Sequence, residues 1–137
     1  MNDCVFCKIV KGEIPSTKVY SDDLVDCFMD IMPISEGHTL VISKSHFETL
    51  INTPEDVLCR MATVAAKVAR AILAATGAEG FNLVQNNKRC AGQVIPHVHI
   101  HVIPRKEGDG IKFGWPAKKA AENELVKVAD AIKQHLK

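Results

Sequence analysis

The segment Pro-His-Val-His-Ile-His-Val-Ile-Pro-Arg, residues 96–105, constrains this chain more than any other. His97, His99 and His101 alternate with Val98, Ile100 and Val102, the two-residue period of a strand with one face in a core. Such a strand lines its imidazoles along one face, each about 6.6 Å from the next by strand rise. His97 and His101 then stand roughly 13 Å apart, whereas two ligands of one zinc must each approach to about 2.0–2.1 Å. A three-histidine zinc centre is therefore disfavoured, and the three rings need separate roles. Imidazole is the side chain best placed to attack or to shuttle protons near neutral pH. The bland alternative, a solvent-facing strand face rich in histidine, must place three of only six histidines in register.

The rest of the chain reads as one domain over residues 1–137, without repeats or low-complexity blocks. A short helix is predicted over 4–11, closed by Gly12 with Pro15 beyond. Strands are predicted over 17–20 and 24–30, joined at Ser21-Asp22-Asp23, then over 38–43, 81–86 and 96–103, with a loop over 87–95. The clearest helix starts at Thr53-Pro54-Glu55-Asp56, with Thr53 as the capping oxygen and Pro54 at the first helical position. Its apolar residues Val57, Met61, Val64, Ala65, Val68 and Ile72 recur at helical spacing, and Gly77 ends it. A last helix, about 117–136, places Ala121, Leu125, Val128, Ala129, Ile132 and Leu136 on one face. Strands gathered mid-chain, with few helices and one tight hairpin, indicate an α+β fold with a mainly antiparallel sheet.

A net charge of +1 argues against a nucleic-acid partner. No apolar run has the length of a signal peptide or of a bilayer span, so no membrane role is expected. Five cysteines make an odd count for a disulfide framework, and a reducing cytoplasm fits best. Cys27, Cys59 and Cys90 read as small buried hydrophobes or inert thiols. Cys4-x-x-Cys7 fits a metal half-site, a redox pair or chance. Lys88, Arg89, Arg105 and Lys106 are either surface charges or a source of positive potential for phosphates.

The stretch His97-Val98-His99-Ile100-His101-Val102 resembles the signature of the histidine triad (HIT) family of nucleotide hydrolases and transferases. Gly37-His38-Thr39-Leu40-Val41, Lys44-Ser45-His46-Phe47, Asn82-Leu83-Val84-Gln85-Asn86 and Ala91-Gly92-Gln93 follow the family's order. The resemblance runs from Cys4 to about Arg105, within a bacterial branch that pairs the triad with a Cys-x-x-Cys zinc site. It implies a five-stranded sheet with a long helix packed on it, a C-terminal helix, and a homodimer. The reaction implied is hydrolysis at the α-phosphate of purine nucleoside phosphoramidates or (di)nucleoside polyphosphates, releasing AMP or GMP.

By that resemblance His99 is the nucleophile that forms a nucleotidyl-histidine, His101 binds the phosphate beside it, and His97 completes the catalytic triad. Nucleotide contacts are implied for Asp30 (ribose), His38, Asn86, Gly92, Gln93 and Val94. At Val94 many phosphoramidate-cleaving members carry Ser or Thr, so only a backbone N–H remains there to meet phosphate or leaving group. For the metal, Cys4, Cys7, His46 and His97 together make the Cys₂His₂ set of structural zinc. With zinc bound, His97 is a ligand and is not free to move protons. The alternative function is a non-catalytic nucleotide- or zinc-binding regulatory module, and a small zinc-ribbon nucleic-acid binder is a weaker third.

Overall fold

The computed structural model describes residues 3–112 and 114–136. Five strands, β1 (Lys18–Ser21), β2 (Val25–Met29), β3 (Thr39–Ser43), β4 (Gly80–Val84) and β5 (His99–Arg105), form one sheet in the order β1-β2-β3-β5-β4. Every neighbouring pair is antiparallel. The helices are α1 (Val5–Val10), α2 (Glu55–Thr76) and α3 (Glu122–His135). The α+β architecture with its antiparallel sheet is thus as the sequence pattern indicates, with strand ends moved by at most three residues.

The two sheet faces have different covers. Val57, Met61, Val64, Ala65, Val68 and Ala69 of α2 pack on Val25, Cys27, Val41, Val98 and Val102. Phe6 and Ile9 of the short α1 pack on Phe28, Leu40 and Ile42. A 22-residue helix covers one face, but a six-residue helix covers only part of the other. The uncovered part of that second face holds His99 and His101.

Three sequence expectations need correction. Thr53 does not cap α2: Pro54 holds the cap position without a side-chain hydrogen bond, and the Thr53 hydroxyl donates to the Thr49 carbonyl at 2.8 Å. The predicted strand over 96–103 starts only at His99. Before it the Val98 N–H donates to the Phe47 carbonyl at 2.7 Å, which draws the chain out of the sheet and takes His97 off the strand face. The terminal helix spans 122–135 rather than 117–136, and its apolar stripe of Leu125, Val128, Ile132 and Leu136 is exposed.

Candidate active site and thiol–imidazole cluster

His99 and His101 stand two residues apart on β5, their ring centroids 5.0 Å apart. Both line a cavity of about 600 Å³ on the face that α1 leaves open. Its lining includes the apolar Phe6, Ile9, Phe28 and Leu40 and the polar Asp30, His38, Asn86, His99 and His101. Apolar walls suit a flat heterocycle, and the polar groups suit an anion.

Main-chain groups fix the protons on these imidazoles. His99 Nδ1 lies 2.6 Å from the His97 carbonyl oxygen, which can only accept, so Nδ1 carries the proton and Nε2 keeps its lone pair. The Ile34 N–H donates to Nδ1 of His38 at 3.0 Å, which puts the His38 proton on Nε2. The His38 Nε2–H donates to Nδ1 of His101 at 3.0 Å, so the neutral His101 carries its own N–H at Nε2. His97 donates from Nε2 to the Ser43 carbonyl at 2.7 Å and keeps a lone pair on Nδ1. A lone pair at His99 thus sits beside an N–H donor at His101.

The rings are neutral at neutral pH. Burial pushes the His97 and His101 imidazoles down to about 4, and the neighbouring histidines add to the effect. Burial also lowers His99, against its bond to the His97 carbonyl, and lowers His38, against the pull of Asp30.

Asp30, His38 and His101 bring their donor atoms within 4.8 Å of one another, a metal-like grouping. The Ile34 N–H decides against that reading. It occupies the only lone pair of His38, so His38 meets His101 and Asp30 as a hydrogen-bond donor. Asp30 lies 3.5 Å from His38 Nε2 and accepts the Met32 N–H through Oδ1 at 2.8 Å.

The second cluster is chemically different. Cys4, Cys7, His46 and His97 place their ligand atoms within 4.8 Å of one another. Cys4 Sγ is 3.3 Å and Cys7 Sγ 3.6 Å from His97 Nδ1, and Cys7 Sγ is 3.3 Å from His46 Nδ1. Tetrahedral zinc, with bonds of about 2.3 Å to sulfur and 2.0–2.1 Å to nitrogen, spaces its ligands roughly 3.3–3.8 Å apart. These four residues can hold a metal ion, and the His97–Ser43 bond supplies the outer contact that orients a ligating imidazole.

The remaining sites divide cleanly. Val94, 85% exposed, lines the cavity rim. Gln93 is buried with both amide atoms engaged: Oε1 accepts the Lys88 N–H at 2.8 Å and Nε2 donates to the Glu48 carbonyl at 2.7 Å. Arg105 is held by Asp109, Asn82 and the Ile111 carbonyl, so it braces the end of β5. Cys27 is buried, and burial lifts its thiol to about 12, whereas Cys59 and Cys90 are exposed rather than buried.

Sequence reasoning missed Phe6, whose ring meets His97 at 5.7 Å and His99 at 5.1 Å, both edge-on. Its place between Cys4 and Cys7 in a short helix was the available signal. Ile34 was also missed, since a backbone N–H leaves no mark on residue type.

A five-stranded antiparallel sheet, with carbonyl-oriented imidazoles beside a half-apolar cavity, defines a histidine triad protein. A profile of the HIT domain matches residues 11–108, and the chain belongs to that family. Adenylylsulfatase HINT3 of Arabidopsis thaliana is 43% identical over 98% of this chain and 70% of its own length. Adenosine 5'-monophosphoramidase HNT1 of Candida albicans is 41% identical over 97% and 91% of the two chains. A HIT family protein from Bacillus subtilis superposes with a TM-score of 0.91 at 37% identity, over 98% of each chain. A Zn-bound histidine triad protein from Mycobacterium smegmatis does so at 0.79 and 36%, over 97% and 96%.

Proposed function

We propose that this protein is a hydrolase that cleaves at the α-phosphorus of a purine nucleotide through a nucleotidyl-histidine on His99. The observation that carries the reading is the 2.6 Å bond from His99 Nδ1 to the His97 carbonyl, which leaves Nε2 as a neutral nucleophile at the cavity wall. The Nε2 lone pair forms the P–N bond as the leaving group departs; water then attacks phosphorus, the P–N bond breaks and the nucleoside monophosphate is released. His101 donates its Nε2 proton to a phosphate oxygen and stabilises the charge that builds there.

The purine packs against Phe6 and Phe28 of the cavity lining, and the second oxygen of Asp30 accepts from ribose. Asn86 and Gly92 meet the phosphate, while Gln93 acts through the 88–93 loop that its amide braces. Relatives named adenylylsulfatase and adenosine 5'-monophosphoramidase support hydrolysis of adenosine nucleotides by the family.

Zinc is the metal the Cys₂His₂ set suits best. Bound there, it would supply a structural tie rather than a reacting atom. Cys4 and Cys7 from the N-terminal segment, His46 after β3 and His97 before β5 would hold it. Pairing of two copies into a larger sheet is supported by the open edge of β4, where Phe81 and Leu83 are 40% and 49% exposed. Unpaired cysteines favour a reducing cytoplasm, and no helix among the described residues is long and apolar enough to cross a membrane.

The test is hydrolysis of adenosine 5'-phosphoramidate and adenosine 5'-phosphosulfate in ¹⁸O-water. Label in the phosphate of released AMP supports attack at the α-phosphorus; AMP binding with no release from either substrate turns the reading to the regulatory module.

A further inference from the structure

Cys4 and Cys7 stand at the start of α1. Cys4 holds the cap position, and its sulfur accepts the Cys7 N–H at 3.4 Å. Residues at that separation on a helix hold their Cα atoms about 5 Å apart, inside the roughly 4.4–6.8 Å that a disulfide spans. The two sulfurs already lie within 4.8 Å of each other, and both residues are half-buried rather than sealed. A small oxidant can reach them, and little backbone movement separates the dithiol from a disulfide. Cys27 is different, because it is buried and burial lifts its thiol to about 12.

A bond between the two sulfurs dismantles the metal-binding set. Zinc takes thiolate sulfur, and once Cys4 and Cys7 are joined only the imidazoles of His46 and His97 remain as ligands.

Two paths lead from this cluster to His99. The first is main chain. His46 and His97 directly precede Phe47 and Val98, whose 2.7 Å backbone bond draws residue 97 off the strand. The His97 carbonyl in turn accepts from His99 Nδ1 at 2.6 Å. Held by one metal, His46 and His97 would clamp that junction from both sides; released, the His97 ring is held mainly through Ser43. The second path is Phe6, which sits between the two cysteines. Its ring meets His97 at 5.7 Å and His99 at 5.1 Å, and it lines the cavity.

We propose that Cys4 and Cys7 are a reversible redox pair that controls His99: a peroxide joins them in a disulfide, the metal is released, and the loosened His97 carbonyl and Phe6 ring let the His99 imidazole turn from its attacking orientation. The proposal rests on the zinc and hydrolase readings above. One thiolate attacks a peroxide oxygen, the O–O bond breaks, and a sulfenic acid forms as hydroxide departs. The second thiolate attacks the sulfenic sulfur, the S–S bond forms, and a second hydroxide leaves. Two electrons pass from sulfur to peroxide, and two protons from solvent turn both hydroxides into water. A dithiol reductant returns the electrons by exchange through a mixed disulfide.

The experiment titrates the zinc-loaded protein with hydrogen peroxide in a Cys59→Ser/Cys90→Ser background, which removes the two exposed thiols. Peptide mass spectrometry reads the Cys4–Cys7 disulfide, a chelating dye reads released zinc, and ¹⁵N imidazole resonances read the tautomer and surroundings of His99. The kcat for adenosine 5'-phosphosulfate is followed alongside. Disulfide, released zinc and the displaced His99 resonance rise together, while kcat falls about 10–100-fold, as misplacement of a reacting group demands. KM changes less, circular dichroism shows the fold kept, and dithiothreitol with zinc restores the starting state. Stripping zinc with a chelator under reducing conditions gives the same kcat and the same His99 resonance, with no substitution in the cluster. A pair that stays reduced in peroxide overturns the proposal, as does a disulfide that forms with zinc retained or with the His99 resonance unmoved. Activity loss that tracks loss of helical signal, or that persists after reduction, also overturns it. A protein that binds no zinc ends the zinc reading and the proposal with it. If adenosine 5'-phosphosulfate is not cleaved, the hydrolase reading fails separately, and the His99 resonance still decides whether the pair controls the ring.

Discussion

The two ends of the histidine run start from the same side chain and reach opposite uses. His97 and His101 are both drawn down to about 4 by burial and are both neutral at neutral pH. At the His97 end the free nitrogen faces two sulfurs and sits beside a second imidazole, that of His46. At the His101 end the same nitrogen accepts a hydrogen bond from the His38 Nε2–H, so the opposite nitrogen is a donor at an open cavity. What separates the proposed metal ligand from the proposed anion binder is the partner on one ring nitrogen. His99 lies between them and uses a carbonyl of the metal end to orient itself for the chemistry of the other.

That contrast can be broken at each point. The largest effect belongs to His99→Ala, which removes the proposed nucleophile: turnover falls on the order of 10⁴-fold or more, measured as AMP release, while circular dichroism shows the fold kept. Replacing Cys4 and Cys7 together by serine comes next and acts in a different currency. With the proposed zinc site, Tm drops and zinc is no longer retained on dialysis, because the tie that the metal would make between α1 and β5 is lost; a variant with unchanged Tm denies the cluster its structural role. His38→Ala leaves His101 free to take either tautomer, and kcat falls roughly 10–100-fold with KM less affected. His38→Gln, which keeps a donor, recovers part of that loss.

The smallest effect is in pH. His101 has its folded-state value lowered to about 4 from 6.5, so the unfolded chain binds the proton more readily. Its contribution to stability is full above about 6.5 and is lost as pH falls toward 4. His101→Asn therefore flattens the decline of Tm over that window, and an identical slope in both proteins contradicts the assignment.

Much of this contrast was legible in residue types. The His-Val alternation placed β5 and set His99 beside His101, and the spacing from Val57 to Ile72 gave α2 its buried face. The 13 Å argument against a shared metal assumed three rings on one strand. His97 leaves the strand because the Val98 N–H finds the Phe47 carbonyl, a long-range backbone pairing that no local pattern announces. The same limit hid the Ile34 N–H behind His38. Thr53 looked like a cap because residue type favours one, yet its hydroxyl has a nearer acceptor in Thr49. The exposed stripe of α3 was predicted as an apolar face, but periodicity says only that such a face exists, not what covers it.

The claim on which the account turns is that His99 alone carries the nucleotide between the two chemical steps. Rapid acid-free quenching of the enzyme during turnover of adenosine 5'-phosphosulfate, followed by peptide mass spectrometry, measures this directly. The account predicts an adenylyl group on the peptide containing His99, absent from His99→Ala. An adduct on His97 or His101, or steady turnover with no adduct at any histidine, would contradict it.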